Sequence, residues 1–453
     1  RTSAAQRDEA PREASSSVGE RLRRVRAKMD ALGDEYCKAQ QGMAPHPDPK
    51  ALRTFVQLTE GLLGGIGDQG LDEVGRGLAE SDRFQGFFII GCGLHMLGLL
   101  EEARQYLAYV ASAAIGGPPA NDQLVAILMV MPMLKHRKQW SSMVLISDKA
   151  REINGGNWPD YTVPFTKGMA VCNLGRLPEA ARCFQEAIDM NPGFFQAYVE
   201  YDKTMTALRD FEACRKMAQR LVDHGGRWVN AWQRPDHFLS DPALSSRPWY
   251  DAKDFPLARA LEAGFGAIQK ELRSFHEGGG AARWGRVGQA GDRGNDNSAH
   301  DVDLISQGEW SEIVLLGDTT ACKRNGASFP ETLRILRQHS EAAECASMQL
   351  GETLFSRLAP GTRLRAHCGP SNMRLTCHLG IDVPSGCEIT CGGESRTWTE
   401  GKCIVFDDSY EHEVQHLGSA PRVVLLVNFW HPDVPRERRQ ALMQQLQGGG
   451  GQG

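Results

Sequence analysis

Two histidines and one arginine near the carboxyl end of the chain have the types and spacing of a metal and anion site. His367 opens the sequence His-Cys-Gly, His412 follows 45 residues later, and Arg422 lies ten residues beyond His412. Each histidine lies beside a predicted strand, and such strand ends can meet at one mouth of a jelly roll. Neutral imidazole suits iron, but a non-haem iron oxygenase usually adds a carboxylate two residues after the first histidine. Gly369 takes that position, so the histidine spacing alone identifies no metal.

Arg422 begins the sequence RVVLLVNFW, whose other members are nearly all apolar. A guanidinium stays charged at neutral pH, so a buried one must find an anion. One interpretation is bidentate recognition of a dicarboxylate. His378 and Ser356 are then candidates for the remaining donors, although each could equally satisfy local backbone groups. The other interpretation is a structural ion pair with one of the nearby acidic residues, which are Asp407, Asp408, Glu411 and Glu413.

Short segments of alternating apolar residues, separated by turn residues, surround these candidates. This pattern indicates an all-β sandwich or barrel. Helices are predicted at 329–339 and from about 435 to 447. The predicted strands are residues 309–317, 348–362, 374–383, 387–391, 396–399, 402–406, 413–416 and 422–430.

The amino-terminal half has helical periodicity and internal repeats. Helices are predicted at 18–40 and, with breaks, from Ala51 to about Asp223, including an irregular pair over 122–154. In the 34-residue unit that begins at Tyr161, small or large apolar residues recur at positions typical of tetratricopeptide (TPR) repeats. These positions, 8, 20, 24, 27 and 32, are Gly168, Ala180, Phe184, Ala187 and Pro192. A generic helical bundle is the alternative to a repeat solenoid.

These patterns predict a multidomain fold in which an α-helical TPR-like solenoid is followed by a double-stranded β-helix of the jelly-roll or cupin type. The predicted parts are a disordered or helical segment (1–45), the repeat domain (46–231), the jelly-roll domain (232–440) and a disordered tail (441–453). A Gly-, Asp- and Asn-rich stretch at 277–301 is predicted to be a mobile loop.

The composition argues against nucleic-acid binding, a membrane span and a zinc site. With 51 basic and 56 acidic residues, a net charge of −5 gives no electrostatic footprint for nucleic acid. No apolar run reaches the roughly 18 residues that a membrane span needs. The twelve cysteines contain no Cys-x-x-Cys pair, so zinc is not indicated, and scattered thiols are favoured over disulfides such as Cys322–Cys345. The chain begins at Arg1 rather than Met, which leaves open an upstream signal or anchor and therefore the compartment.

The block that runs from HCGPSN through RLTCHLGI, CEI and FDDSYEHEV to RVVLLVNFWHPD resembles the aspartyl/asparaginyl β-hydroxylases. The resemblance extends back through SSRPWYD and covers about 233–440. The repeats ahead of it are similar to those of the animal members. It implies an enzyme that uses iron(II), 2-oxoglutarate and dioxygen. Such an enzyme hydroxylates the β-carbon of an aspartyl, asparaginyl or other side chain in a protein and releases succinate and carbon dioxide.

The resemblance also implies roles for individual residues. The metal ligands become His367 and His412, since members of this kind have Gly where Gly369 stands. No catalytic side chain is implied beyond the metal centre. The residues that hold 2-oxoglutarate become Ser356, His378 and Arg422.

The animal enzymes grip the acidic substrate side chain with an Arg-x-Arg pair. Arg374 matches the first arginine and is therefore a substrate-binding candidate, but Thr376 stands at the second position. That departure weakens the aspartyl/asparaginyl assignment, and hydroxylation of a lipid or small molecule, as the resemblance to related branches of the family implies, is an alternative. A non-catalytic repeat scaffold with an inactive jelly roll is another. The repeats favour a protein or peptide substrate, since solenoids make concave polypeptide-binding surfaces.

Overall fold

A helical unit precedes a sheet-rich unit along this chain, as the sequence predicts. The computed structural model describes residues 17–64, 74, 77–287, 304–317 and 320–448. Their contacts divide them into two units, the first ending at Thr204 and the second beginning at Met205. The predictions for residues 1–16, 288–303 and 449–453 lie outside the described residues.

Ten helices are described up to Asp223. The first, predicted to the residue, begins at a capping box in which the Ser17 hydroxyl accepts from Glu20 N–H and the Glu20 carboxylate accepts from Ser17 N–H. The predicted pair over 122–154 is present as two regular helices. The helices are α1 (Val18–Gln40), α2 (Pro49–Leu62), α3 (Glu80–Met96), α4 (Leu100–Ser112), α5 (Ala120–His136), α6 (Trp140–Ile153), α7 (Thr162–Asn173), α8 (Leu177–Met190), α9 (Phe195–Leu208) and α10 (Phe211–Asp223).

The repeat spacing has a packing cause. A Cβ atom on Gly168 of α7 would lie 2.5 Å from the Phe184 ring of α8, and Phe184 is fully buried. Gly91 of α3 and Leu107 of α4 repeat the arrangement at 2.6 Å. A residue without a side chain is therefore required where each helix pair approaches most closely.

The second unit contains two antiparallel sheets and six further helices among the described residues. One sheet has the order β1-β10-β7-β12-β5-β4-β2, and the other has the order β3-β6-β11-β8-β9. The strands are β1 (Trp249–Tyr250), β2 (Gly285–Arg286), β3 (Ile305–Gln307), β4 (Trp310–Val314), β5 (Thr353–Leu358), β6 (Arg363–His367), β7 (Arg374–Asp382), β8 (Cys387–Cys391), β9 (Glu394–Arg396), β10 (Cys403–Phe406), β11 (His412–His416) and β12 (Arg422–Trp430). The helices are α11 (Pro256–Ala263), α12 (Phe265–Glu277), α13 (Thr320–Gly326), α14 (Pro330–Arg337), α15 (Ser340–Ser347) and α16 (Arg436–Gly448).

The seven-stranded sheet is apolar on both faces. Successive side chains of a strand point to opposite faces, so they pack in two separate hydrophobic cores. On β12, Leu425 and Val427 pack with α11, α12 and α14 on one face, whereas Val424 packs with residues of the other sheet such as Val414 and Ile389. Arg422 shares the parity of Val424. The fold thus places its guanidinium on the side of the seven-stranded sheet that faces the second sheet.

Several sequence predictions need correction. The strand predicted over 348–362 begins only at Thr353, because α15 and a turn precede it, and β6 and α13 were missed. The first part of the predicted 277–301 loop forms a 3-10 turn (Gly280–Arg283) and β2. The start of the predicted 441–453 tail belongs to α16, which agrees with the helix predicted there. All twelve cysteines are free thiols, including Cys322 and Cys345. Among the described residues, no helix combines the length and apolarity needed to cross a membrane.

Candidate functional site

His367 and His412 lie opposite each other on neighbouring strands. They are direct partners in the β6–β11 register, and their ring centroids are 4.1 Å apart. His412 also pairs with Cys391 of β8, so it lies on a central strand of the five-stranded sheet. The β6–β11 register shifts immediately after this pair, which is typical of sheet positions where a side chain is re-aimed. The fold therefore brings together two histidines that are 45 residues apart in sequence.

Hydrogen bonds fix the tautomer of both rings. Nδ1 of His367 lies 2.7 Å from the Arg365 carbonyl oxygen, and Nδ1 of His412 lies 2.8 Å from the Tyr410 carbonyl oxygen. A carbonyl only accepts, so in each ring Nδ1 carries the proton and Nε2 carries the lone pair. Burial lowers the pKa of His412 below its usual 6.5, which favours the neutral form. Two imidazoles whose Nδ1 atoms are held in this way direct Nε2 outward, which suits a metal ligand.

A carboxylate ligand does not complete this pair. Among the described residues, no group of three or more His, Cys, Asp and Glu side chains is arranged to hold a metal. A Cβ atom on Gly369 would lie 2.8 Å from Cγ of Asp408, and the Gly369 N–H donates to the Asp408 carbonyl at 2.6 Å. The space that an aspartate at 369 would need is already filled by Asp408, so glycine is required there.

Three donors lie on the inner face of the seven-stranded sheet. Ser356 pairs with Val424, and His378 pairs with Leu426, so both side chains point to the same face of the sheet as Arg422. Arg422 is 2% exposed. Its Nε and Nη1 atoms and Nε2 of His378 are buried without a hydrogen-bond partner among the described residues.

Two tryptophans orient these donors. The Trp398 indole N–H donates to Nδ1 of His378 at 3.2 Å, which leaves the proton of the neutral ring on Nε2. The same indole lies 4.8 Å from the Arg422 guanidinium. The Trp310 indole N–H donates to the Ser356 hydroxyl oxygen at 3.1 Å, which leaves the hydroxyl proton available to another acceptor.

The charges of Arg422 and His378 favour the binding of an anion. Burial, reinforced by Arg422, keeps the pKa of His378 well below 6.5, so that ring is neutral. Burial also lowers the pKa of Arg422 to about 10, so the guanidinium remains charged at neutral pH. A buried cation surrounded by neutral donors with unused N–H groups fits a carboxylate, whose oxygens are acceptors only.

The alternative of a structural ion pair is not observed for Arg422 among the described residues. Asp407 accepts from Gln233 and Ser409, and Glu411 is bound by two other arginines. Asp408 pairs with Arg374 at 2.7 Å. The acidic residues that sequence reasoning offered as partners are thus oriented toward other groups, apart from Glu413, which is exposed.

Comparisons with known proteins show to which family the chain belongs. A family model described as "Aspartyl/Asparaginyl beta-hydroxylase" matches residues 262–432. The human "Aspartate beta-hydroxylase domain-containing protein 2" is 42% identical over 274 residues, which cover 58% of this chain and 68% of that protein. This chain belongs to the aspartyl/asparaginyl β-hydroxylase family.

Two further similarities cover smaller parts. The human "Aspartyl/asparaginyl beta-hydroxylase" is 32% identical over 227 residues, which cover 48% of this chain and 27% of that protein. A solved structure titled "MamA RS-1 ArsTM double mutant" covers 43% of this chain at 14% identity with a TM-score of 0.31, and so weak a likeness carries no argument here.

Arg374 and Thr376, at the two positions of the Arg-x-Arg pair, both form hydrogen bonds within this chain. Arg374 donates to Asp408 and to the Leu350 carbonyl oxygen. Thr376 is buried, and its hydroxyl oxygen accepts from the Asn428 carboxamide at 2.7 Å. Thus the residue predicted to bind substrate already has a carboxylate partner, and its neighbour two positions along is neutral.

Sequence reasoning missed the residues that support the site. Trp398 lies between β9 and β10 and Trp310 begins β4, so no local pattern marks either one as a partner of His378 or Ser356. Their roles appear only when the strands are placed together. One sequence signal for Trp398 was its place beside Glu400-Gly401, inside the block that resembles the family.

Proposed function

We propose that this protein is an iron(II)- and 2-oxoglutarate-dependent oxygenase that hydroxylates a side chain of a protein substrate. The proposal rests on two features of one domain. His367 and His412 form a cross-strand pair whose Nδ1 atoms are protonated, and Arg422 is buried without an acidic partner among the described residues. Family membership supports a hydroxylase. We interpret the two antiparallel sheets as the double-stranded β-helix expected from the sequence.

In this proposal His367 and His412 hold the ferrous ion through Nε2. The two carbonyl contacts at Nδ1 keep each ring in the required tautomer and orientation. When bound, iron(II) with 2-oxoglutarate supplies the oxidation of a C–H bond by dioxygen, with succinate and carbon dioxide as co-products. The protein binds and orients the reactants and excludes water, and it needs no further catalytic side chain.

Arg422 holds the distal carboxylate of 2-oxoglutarate. Its unused N–H groups, the Ser356 hydroxyl proton and Nε2–H of His378 provide donors on one sheet face. Such preorganised donors are worth more in a buried site than in water. A buried cation costs free energy of folding unless an anion pairs with it. An inactive scaffold would therefore gain no stability from Arg422.

The identity of the substrate is a separate proposal. We propose a polypeptide, with the helical repeats providing a binding surface. The internal pairing of Arg374 with Asp408 and of Thr376 with Asn428 leaves no arginine pair ready for an acidic side chain. These contacts favour an uncharged target, and hydroxylation of a neutral small molecule or lipid is the second candidate for the same reason.

The proposed function is tested by metal binding and co-substrate turnover. The purified 453-residue chain should bind one Mn(II) ion, a redox-silent substitute for Fe(II), and 2-oxoglutarate should tighten that binding. With Fe(II), 2-oxoglutarate and oxygen it should form succinate, and a hydroxylated peptide should gain one oxygen by mass spectrometry. Absence of both metal binding and succinate formation would refute the proposal. Turnover with a non-peptide acceptor alone would select the second candidate.

A further inference from the structure

Residues 230–239, here called the strap, contact the loops beside both candidate metal ligands. The strap lies between α10 and β1 and belongs to the second unit. One loop, 368–373, follows His367, and the other, 407–411, precedes His412. The strap is far from both loops in sequence, so its contacts are purely tertiary.

On the His367 side, the contacts are mostly between main-chain groups and an amide. The His237 N–H donates to the Pro370 carbonyl oxygen at 3.0 Å. The Asn372 carboxamide accepts from the Leu239 N–H at 2.8 Å and donates to the Leu239 carbonyl at 3.1 Å. This loop is therefore fixed at two points within five residues of His367.

On the His412 side, the Trp232 carbonyl oxygen accepts from the Glu411 N–H at 2.7 Å. The same oxygen lies 3.9 Å from the Cys368 sulfur atom. One carbonyl thus contacts the neighbours of both histidines. The Gln233 side chain donates to Asp407 and Ser409 at 3.0 and 2.9 Å.

Glu411 is the centre of a charged cluster. Its two carboxylate oxygens accept from Arg234 and Arg215, each at 2.6 Å. Glu411 is 7% exposed, the Arg234 side chain 1% and the Arg215 side chain 31%. Arg215 lies on α10, and its guanidinium is 4.7 Å from the Trp232 ring of the strap. A buried carboxylate held by two charge-assisted contacts has little freedom to move.

We propose that Glu411 is a positioning residue for His412, and that Arg215 on α10 sets the iron affinity by holding Glu411. This inference rests on the proposed function. Glu411 immediately precedes His412, and its carbonyl oxygen accepts from the Gly392 N–H at 2.9 Å, so its main chain and side chain are both fixed. A shift of Glu411 therefore turns the His412 ring away from His367. The helix that ends the repeat series thus carries a determinant of the metal site.

The experiment compares the Mn(II) affinity and the unfolding midpoint of variants of the 453-residue chain. Arg215→Ala leaves the Arg234 contact in place and should raise the Mn(II) Kd by ~10-fold, a size typical of changes outside the ligand shell. Lys216→Ala, an exposed neighbour on the same helix, should leave the Kd unchanged. Arg215→Lys should recover part of the affinity. Glu411→Gln should raise the Kd, and adding Arg215→Ala to it should have little further effect, since Glu411→Gln already removes the charged partner of Arg215.

A purely structural role predicts a different result. The unfolding midpoint of Arg215→Ala would then fall while the folded variant bound Mn(II) with the wild-type Kd, and that outcome overturns the inference. It leaves the proposed function intact. A wild-type protein that bound no Mn(II) would instead overturn the proposed function and this inference with it.

Discussion

The indole N–H of Trp398 donates to Nδ1 of His378 across 3.2 Å, and the two rings are stacked at an angle of 18°. This contact fixes the His378 proton on Nε2, an atom that is buried without a hydrogen-bond partner among the described residues. The proposed 2-oxoglutarate site therefore depends on a residue, Trp398, that does not itself donate to the co-substrate.

Replacement of Trp398 by Phe keeps an aromatic face but removes the N–H. A neutral hydrogen bond contributes about 1 kcal/mol, so we expect ~5-fold weaker binding of 2-oxoglutarate with unchanged Mn(II) affinity. Isothermal titration of 2-oxoglutarate into the Mn(II)-loaded protein measures the first affinity, and titration of Mn(II) into the metal-free protein measures the second. Trp249→Phe is the matched control, because the Trp249 indole N–H is buried without a partner among the described residues. Equal effects of the two variants would contradict the orienting role.

Replacement of Arg422 by Lys keeps the charge but loses the planar fork. Hydrogen bonds to charged groups are worth about 1.5–3 kcal/mol, so the KM for 2-oxoglutarate should rise ~10- to 100-fold. Succinate formation at varied 2-oxoglutarate measures this. Arg357→Lys, on adjacent β5 but stacked on Trp284, should have the wild-type KM. An unchanged KM for Arg422→Lys would place the co-substrate elsewhere.

Replacement of His412 by Ala removes one of the two imidazoles. A single histidine cannot hold the ion at the same affinity, so we expect no stoichiometric iron and no succinate formation. Metal analysis after desalting measures the iron content. His276→Ala, which removes a histidine that contacts Trp284 instead, should retain iron. Turnover that survived in His412→Ala would disprove the ligand assignment.

Acid should destabilise the metal-free protein through His378. The pKa of this ring is lowered by burial, so the unfolded chain takes up a proton near pH 6.5 while the folded chain does not. Stability from this group is thus present above pH 6.5 and lost as the pH falls toward the folded-state pKa, by about 1.4 kcal/mol per unit. His378→Gln, which cannot take up the proton, should show a shallower loss in denaturant titrations between pH 6.5 and 5. Parallel curves would show that the histidine is protonated in the folded state as well.

Much of the fold follows from local patterns in the sequence. The nearly continuous apolar run in RVVLLVNFW and the alternation in CEITC predict β12 and β8 to the residue, and the Gly168–Phe184 spacing identifies a helix pair whose contact the structure explains. The histidine pair could be suggested because both residues adjoin strands, although only the β6–β11 register shows that they meet.

The supporting contacts could not be predicted, since they join residues far apart in sequence. Arg215 and Glu411 are separated by 196 positions, and nothing near either one indicates the other. Asp408 was considered as a partner for Arg422, but it pairs with Arg374, because proximity in sequence does not decide the direction of a side chain. The assignment of iron and 2-oxoglutarate to these residues stays a prediction.

The strap also bears on the order in which the chain folds. Its partners in the two loops lie more than 130 residues away, and contacts of such separation form late, because long loops must close before they can be made. Individual strands and hairpins can therefore be native while the two imidazoles are still misaligned. Tight metal uptake would then be among the final properties that a newly synthesised molecule acquires.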